Sequence, residues 1–563
     1  MKIMDTDKLH VKILADLCVA NGLHKVVISP GSRNAPLIMA FHNHPDIECF
    51  VIPDERSAAY FAIGIAQFTG LPVGIICTSG TAALNYAPAM AEAYYQKIPL
   101  VAITADRPPE WIDQLDGQAI NQTGMYANFI SYQAQLPTEA FSKNEVWHLE
   151  RIVRDGFLQL KLKNQPVHFN VPIREPLYNS KEREPSSVNY TTFKPIEKSF
   201  LEDKDFTAEL HHFNKILLVI GMHPPDEEFS NLISRVAAGK NMVVMCETLS
   251  NVNSEDTFQI ADAWINAIHR KNLLELNPDL IISFGDILLS KPLKQWIRSL
   301  TRTEHWLVNK GNMVPDVFQR IERIIHLSSV DFLRYLMDYF APNVKTFYDS
   351  WQQSYLNFAR IHDEYMQTIG WSDMHSFRAL SKTIPPNSVV HLGNSSPVRY
   401  AHFFRWKDAI HFFGNRGTAG IDGTMSTAIG MASQTDKPVI LITGDISFFY
   451  DSNALWNNYK RPNFKIIVIN NKGGNIFSLI SGPSETGLLD DYFVTHHPVS
   501  IEYLCKAYGI DYSLARNEQD LNSGLEHLLG ATRCSLLEID TDPVVNTNVW
   551  KEYFKTIKER WEG

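Results

Sequence analysis

Two apolar runs that end in polar turns do most to limit what this chain can become. Pro438 to Thr443 (PVILIT) runs into Gly444-Asp445, and Phe464 to Ile469 (FKIIVI) runs into Asn470-Asn471-Lys472-Gly473-Gly474. Between them Ser452 to Tyr459 has helical spacing, so the stretch reads as strand, helix, strand. Such a crossover joins parallel strands of one sheet. Both polar tips then lie at the carboxyl edge, where α/β proteins bind ligands.

Asp445 offers a carboxylate, and Asn471 an amide oxygen 26 residues later. The glycines beyond let a backbone carbonyl, that of Gly473, turn toward the same point. Oxygen donors with room left for water and phosphate suit Mg²⁺, or a similar hard cation such as Mn²⁺, on a diphosphate. The helix after Asp445 aims backbone N–H groups at the same anion. Taken singly, GD and NN are ordinary turn residues; their pairing at two strand ends is what points to a ligand.

At 563 residues the chain is too long for one core, and three domains are expected: 1–185, 186–342 and 343–563. A net charge of −10 with no basic stripe argues against nucleic acid. No run of 18 apolar residues exists, so no membrane span is expected. The opening MKIMDTDKLHVKILADL reads as an amphipathic helix and not as a signal peptide. Six scattered cysteines without a CxxC pair suit a reducing cytoplasm.

The first third alternates short apolar runs with helical patterns, the sign of a doubly wound parallel sheet. Strands are expected at Lys25 to Ile28, Cys49 to Ile52, Val73 to Cys77, Leu100 to Thr104 and Val167 to Val171, with helices such as Ser57 to Thr69 and Thr81 to Gln96. The strand ends carry candidate chemistry. SPGSRNAPL puts Ser32 and Arg33 at a helix start, either as a carboxylate site or as a helix cap with a surface arginine. PDERSAA puts Glu55 in the first turn of an apolar helix, where an acid also complements the dipole. Gly80 precedes an Ala-rich helix whose N–H groups are free to face a ligand. In TADRPPEW two prolines hold Arg107 at the edge, and Gln118 follows in DGQAINQ.

A Ser-, Glu-, Lys- and Asn-rich linker is expected over 179–206. A second α/β domain follows, with strands at Lys215 to Gly221, Met242 to Cys246, Leu280 to Phe284 and His305 to Val308. Its Gly285-Asp286 turn lacks a GxGxxG partner and reads as a packing turn. Lys291, in SKPL, is the basic residue there that could reach a substrate, although composition alone favours a solvated surface lysine. An aromatic-rich helical stretch from about Asn343 leads to the third domain. Its strand Ser388 to Leu392 ends in GNSSPVRY, and a later one in GNRGTAGIDGT. Ser395, Arg399 and Arg416 offer a hydroxyl and two guanidiniums to an acidic substrate, and Ile421 a branched apolar wedge. Leu536 to Ile539 reads as a closing strand and Val549 to Trp561 as a last helix.

The turns SPGSRNAPL, DERSAA, TADRPPEW, GNRGTAGIDGT and NNKGGNIFSLI together resemble the thiamine-diphosphate decarboxylase-like family, and within it the branch that serves menaquinone synthesis. The resemblance implies pyrimidine-binding, central and diphosphate-binding domains, and at least a homodimer, with a homotetramer favoured. Glu55 of one chain would meet Asp445 and Asn471 of another. There it would favour the imino tautomer of the cofactor's aminopyrimidine, while Ile421 would bend the cofactor. Gly80, Gly444, Asp445, Ile446, Ser447, Asn471, Gly474, Asn475, Ile476 and Phe477 would bind the cofactor, with Asp445, Asn471 and Gly473 on the metal.

The implied substrates are 2-oxoglutarate and isochorismate, both dicarboxylates. Ser395, Arg399 and Arg416 would face the succinyl end, and Ser32, Arg33, Arg107, Gln118 and Lys291 isochorismate. Ile476, Phe477 and Ile480 would form an apolar wall. The alternative is another thiamine-diphosphate oxo-acid decarboxylase or an acetohydroxyacid synthase-like carboligase. Two departures stand out: Ile446 replaces the third residue of the usual GDG, and Pro292 stands where some members carry a second basic residue.

Overall fold

The computed structural model of the chain describes residues 4–140, 142–182, 209–311, 314–339, 345–480 and 482–562. Among them run three six-stranded parallel sheets with helices between the strands. The first takes its strands in the spatial order Glu48–Val51, Lys25–Ile28, Val73–Cys77, Leu100–Asp106, Val167–Pro172, Tyr132–Gln135. The third has the same winding: His411–Phe413, Val389–Leu392, Val439–Gly444, Phe464–Asn470, Ser535–Asp540, Asp511–Ala515. The middle sheet runs Phe258–Gln259, Val243–Cys246, Ile216–Ile220, Leu280–Phe284, Glu304–Val308, Ile321–Ile325, the order of dinucleotide-binding sheets. Central strands such as Ile216–Ile220 and Phe464–Asn470 are buried at every residue. Covered on both faces by helices, they read as unbroken apolar runs, not as alternation.

The chain forms two compact units: Met1–Ile196 with Asn415–Asp436 and Ser447–Phe464, and Glu197–Gly414 with Lys437–Ile446 and Lys465–Gly563. In the first unit the helix Glu55–Thr69 lies against the helix Thr424–Ala432, backbone on backbone. A Cβ added to Gly64 would stand 1.9 Å from the Thr427 carbonyl oxygen, and one added to Gly430 would stand 2.1 Å from that of Phe61. No other residue allows this approach. In the second unit the aromatic helix Thr346–Met366 turns Phe347, Trp351 and Phe358 into a core that includes Trp264, Trp296 and Tyr553. Trp264 and Trp351 meet edge to face, with centroids 5.4 Å apart.

Several elements differ from expectation. The crossover helix does not wait until Ser452. It begins at Asp445 and runs to Tyr450, and Ser452–Trp456 is a separate 3-10 turn. Between them Asp451 spends its short side chain on the Ser426 N–H and hydroxyl, at 2.7 and 3.0 Å, instead of extending the helix. The expected helix Thr81 to Gln96 is two, Thr81–Leu84 and Ala87–Gln96. Pro88 has no N–H and collides with the carbonyl four residues back. At the start, Met4–Thr6 is a strand paired antiparallel with Ser180–Glu182, and the helix begins at Leu9. The last helix starts early, at Pro543. Most of the expected linker lies outside the described residues.

Gly285-Asp286 packs as a turn, with the Asp286 N–H donating to the Met222 carbonyl at 3.0 Å. All six cysteines are free, five of them buried. Among the described residues no helix is long and apolar enough to cross a membrane.

Candidate functional site

The first unit gathers Arg33, Arg107, Gln118 and Gly80 at one sheet edge. Arg33 is buried, and its guanidinium donates to the Ile173 carbonyl at 3.1 Å and to Glu175 Oε1 at 3.0 Å. Arg107 reaches the same Glu175 oxygen at 3.6 Å, pairs with Asp116 at 3.1 Å and donates to the Gly117 carbonyl at 2.9 Å. Its Nε is buried with no hydrogen-bond partner among the described residues. Ser32 beside Arg33 is exposed, as is Gln118, which takes φ +57°.

What holds Arg107 in place is a buried polar chain that the strand pattern conceals. Gln122 accepts from the Gly80 N–H at 2.9 Å and donates to the Ala105 carbonyl and Asn170 at 3.1 and 2.8 Å. Asn170 in turn donates to Asp106 Oδ2 at 2.7 Å, and Asp106 Oδ1 accepts the Arg107 N–H at 2.8 Å. Burial pushes the Asp106 carboxyl up, against the pull of these hydrogen bonds and of Arg33. Each member of this chain satisfies its neighbour, as buried polar groups must.

Glu55 opens its helix behind Asp54, whose side chain caps it by accepting the Ser57 N–H at 3.1 Å. Half-burial raises the Glu55 carboxyl above its usual value. The loop that carries Arg416 and Ile421 belongs to the same unit and is pinned along its length. Gln96 accepts from the Arg416 N–H at 3.3 Å. Glu92, 1% exposed, accepts from the Gly417 N–H, the Thr418 N–H and the Thr418 hydroxyl, each at 2.7 Å. Ser447 donates to the Ile421 carbonyl at 2.7 Å, and Tyr60 donates to Asp422 at 2.7 Å. Burial raises the Glu92 carboxyl, while its hydrogen bonds to Thr418 and Gly417 oppose the rise.

The second unit brings together the two polar tips. Asp445 is buried, and its Oδ2 accepts the Gly473 N–H at 2.8 Å and lies 3.1 Å from His497 Nε2. Its Oδ1 accepts the Ile446 N–H at 2.8 Å. Asn471 donates from Nδ2 to Asp373 Oδ2 at 2.8 Å, which fixes the orientation of its amide. Asp373 also accepts from Thr541 at 2.6 Å, and burial carries its carboxyl to about 6. Asn475 and Ile476 are buried beside the glycine turn, with Gly474 and Phe477 half-buried and Ile480 exposed.

Ser395 sits at φ +73°, a strained conformation for a residue with a Cβ, and its carbonyl accepts from Arg399 at 2.7 Å. Burial lowers the Arg399 guanidinium, opposed by the charge of Asp262. Lys291 is exposed at the first position of its helix, capped by Ser290, which donates to Asp262 at 2.5 Å. Asp373, Glu92, Gln122, Asn170, Glu175 and His497 carry no motif, and only their contacts mark them out.

These residues suit a diphosphate with a hard cation. Gly444 faces open space where a Cβ would stand. The Asn475 amide nitrogen and the Thr443 hydroxyl are buried without a hydrogen-bond partner among the described residues, and in the first unit so are the hydroxyls of Thr78 and Ser79. Buried polar atoms left in that state are expected to meet a ligand or water.

Comparison with known proteins agrees. The N-terminal TPP binding domain of thiamine pyrophosphate enzymes matches residues 10–125, and the C-terminal TPP binding domain matches residues 393–539. A protein of Cytophaga hutchinsonii is 38% identical, with 97% of this chain and 99% of that one covered. One of Flavobacterium johnsoniae is 36% identical over 97% and 98%, and one of Bacteroides thetaiotaomicron 33% identical over 99% and 100%. Each is named 2-succinyl-5-enolpyruvyl-6-hydroxy-3-cyclohexene-1-carboxylate synthase. Likeness of this degree runs the length of the chain and takes in both thiamine-pyrophosphate-binding domains, so the chain belongs to the 2-succinyl-5-enolpyruvyl-6-hydroxy-3-cyclohexene-1-carboxylate synthase family of thiamine pyrophosphate enzymes.

Proposed function

We propose that this chain is a thiamine-diphosphate-dependent transferase of menaquinone biosynthesis, joining 2-oxoglutarate to isochorismate in the cytoplasm. The product named for its relatives supports the choice. A succinyl group is what remains of 2-oxoglutarate once carbon dioxide leaves, and the enolpyruvyl-hydroxycyclohexene carboxylate is isochorismate after addition across one ring double bond. The new carbon–carbon bond forms at ring C2, a proton goes to C1, and the second double bond stays. The relatives' names favour this reading over an acetohydroxyacid synthase-like carboligase.

Thiamine diphosphate, when bound, supplies the carbon centre at which the oxo acid loses carbon dioxide and the succinyl unit becomes nucleophilic. The chain supplies everything around it. The Asp445 carboxylate, Asn471 amide oxygen and Gly473 carbonyl would hold Mg²⁺ or Mn²⁺. Gly444, Ile446, Ser447, Gly474 and Asn475 would offer backbone and side-chain donors to the diphosphate. Ile421 would press the cofactor into its bend. Glu55, its carboxyl raised above its usual value by burial, would hydrogen-bond the aminopyrimidine ring and exchange a proton with it.

Arg399, Arg416 and Ser395 would orient the oxo acid's distal carboxylate. Ser32, Arg33, Arg107, Gln118 and Lys291 would receive isochorismate, with Ile476, Phe477 and Ile480 as the apolar wall. Glu55 of one chain would serve the cofactor held by a second copy, making the enzyme at least a homodimer, with a homotetramer favoured.

The observation that carries the reading is the meeting of the two polar strand tips, where Asp445 accepts the Gly473 N–H and Asp373 fixes the Asn471 amide. Incubation with thiamine diphosphate, Mg²⁺ and 2-oxoglutarate, with and without isochorismate, tests it. Carbon dioxide from the oxo acid, and adduct only when both substrates are present, is the expected result. No carbon dioxide from 2-oxoglutarate would end it.

A further inference from the structure

The carboxylate on which Arg33 and Arg107 converge belongs to the chain itself. Glu175 follows the strand Val167–Pro172, and its side chain is 68% exposed, whereas that of Arg33 is 6% exposed. The backbone under it is anchored, because the Ile173 N–H donates to the Asp106 carbonyl at 3.0 Å. The acid can therefore swing away without moving the strand. The arginines cannot: Arg33 is tied to the Ile173 carbonyl, and Arg107 to Asp116 and the Gly117 carbonyl. Two hydrogen-bonded cations thus face a solvent-exposed anion. Arg107 keeps one buried donor, Nε, without a partner among the described residues.

We propose that Glu175 is a specificity-determining residue, an internal carboxylate that occupies the two-arginine site until a substrate carboxylate displaces it. Exchange of one carboxylate for another leaves the local charge unchanged, so the buried guanidinium of Arg33 has a counter-ion in either state. A pair with one member mostly in water is weak, whereas a substrate carboxylate enclosed by two guanidiniums forms charge-assisted hydrogen bonds to both. Glu175 therefore sets a threshold. Ligands that present a carboxylate in this geometry exceed it, and uncharged analogues do not.

The inference rests on the reading of Arg33 and Arg107 as the isochorismate carboxylate site, and the test separates the two. KM for isochorismate and for 2-oxoglutarate is measured on holoenzyme of the wild type, Glu175→Gln, Glu175→Asp, Arg107→Gln and the Glu175→Gln/Arg107→Gln double variant. Removing the competing charge should lower the isochorismate KM about two- to fivefold, the factor that corresponds to an exposed ion pair. The 2-oxoglutarate KM should not move, Glu175→Asp should restore the wild-type value, and the gain should shrink in the double variant. A Glu175→Gln enzyme whose isochorismate KM rises or stays put, while Arg107→Gln still raises it, overturns the role of Glu175 alone. An Arg107→Gln enzyme with an unmoved isochorismate KM overturns the arginine site and this inference with it.

Discussion

Asn471 donates its amide N–H to the buried carboxylate of Asp373 at 2.8 Å, across 98 residues of chain. An asparagine amide can present oxygen or nitrogen to a cation, and only the oxygen coordinates. Asp373 removes the choice. Thr541 and Asn546 hold Asp373 in turn, the latter by accepting its backbone N–H at 2.7 Å.

Asp373→Ala should therefore weaken cofactor binding without touching a proposed metal donor. Loss of an orienting partner of this kind typically costs about 10–100-fold in metal affinity. Titration of the apoenzyme with thiamine diphosphate at fixed Mg²⁺ reads it, and an unchanged dissociation constant would show that Asn471 needs no such support.

Glu55→Gln should leave diphosphate binding largely intact while slowing proton exchange at the cofactor's reactive carbon by about 10²–10⁴-fold, the usual worth of a placed acid–base group. Exchange is followed by NMR after acid quench. Wild-type exchange and turnover in that variant would remove Glu55 from the mechanism.

Arg107→Ala should reduce kcat/KM for isochorismate by roughly 10–150-fold, the equivalent of about 1.5–3 kcal/mol for a charge-assisted contact. Carbon dioxide release from 2-oxoglutarate alone should suffer less. Equal loss in both half-reactions would count against the placement of Arg107 at isochorismate.

Glu92 accepts three hydrogen bonds from the loop that carries Arg416 and Ile421. Glu92→Ala should cost on the order of 3 kcal/mol of stability, because two N–H groups lose a charged acceptor. It should also raise KM for 2-oxoglutarate, with Glu92→Gln in between. A stability loss with no change in KM would reduce Glu92 to a packing role.

Burial carries the Asp451 carboxyl to about 7, against the hydrogen bonds from Ser426. An unfolded aspartate titrates near 4. Between about pH 4 and pH 7 the folded chain therefore keeps a proton that the unfolded chain has lost, and this contribution to stability falls as pH rises through the window. The limiting slope is about 1.4 kcal/mol per pH unit. Asp451→Asn should flatten that part of the curve in denaturant titrations from pH 4 to 7. A variant with the wild-type slope would place the proton elsewhere.

Some of this is legible before folding and some is not. Asp445 and Asn471 stand at the ends of apolar runs, so hydrophobic pattern alone puts them on strand tips. Arg33, Arg107 and Gly80 follow the same rule. Glu92 shows nothing of the kind: it sits inside an Ala-rich helix, and the Thr418 hydroxyl it accepts from is 326 residues away. Gln122 and Asn170 read as loop and strand residues, and they become a support for Arg107 only when two strands and a loop meet. The crossover helix is misjudged because Asp451, acceptable in a helix by spacing, is claimed by Ser426.

By itself the amino-acid order determined the parallel α/β class and the placing of the strand-end turns, since both follow from local periodicity and from glycine, proline and charge at fixed offsets. The resemblance of those turns to a known family is what pointed to a thiamine pyrophosphate enzyme. Tertiary structure alone decided which way the Asn471 amide faces, which acid carries the Arg416 loop, and that Glu175 lies on the two arginines. Each of those depends on a hydrogen bond or ion pair between segments far apart in the chain, and such contacts exist only once the apolar core has closed and brought them within about 3 Å.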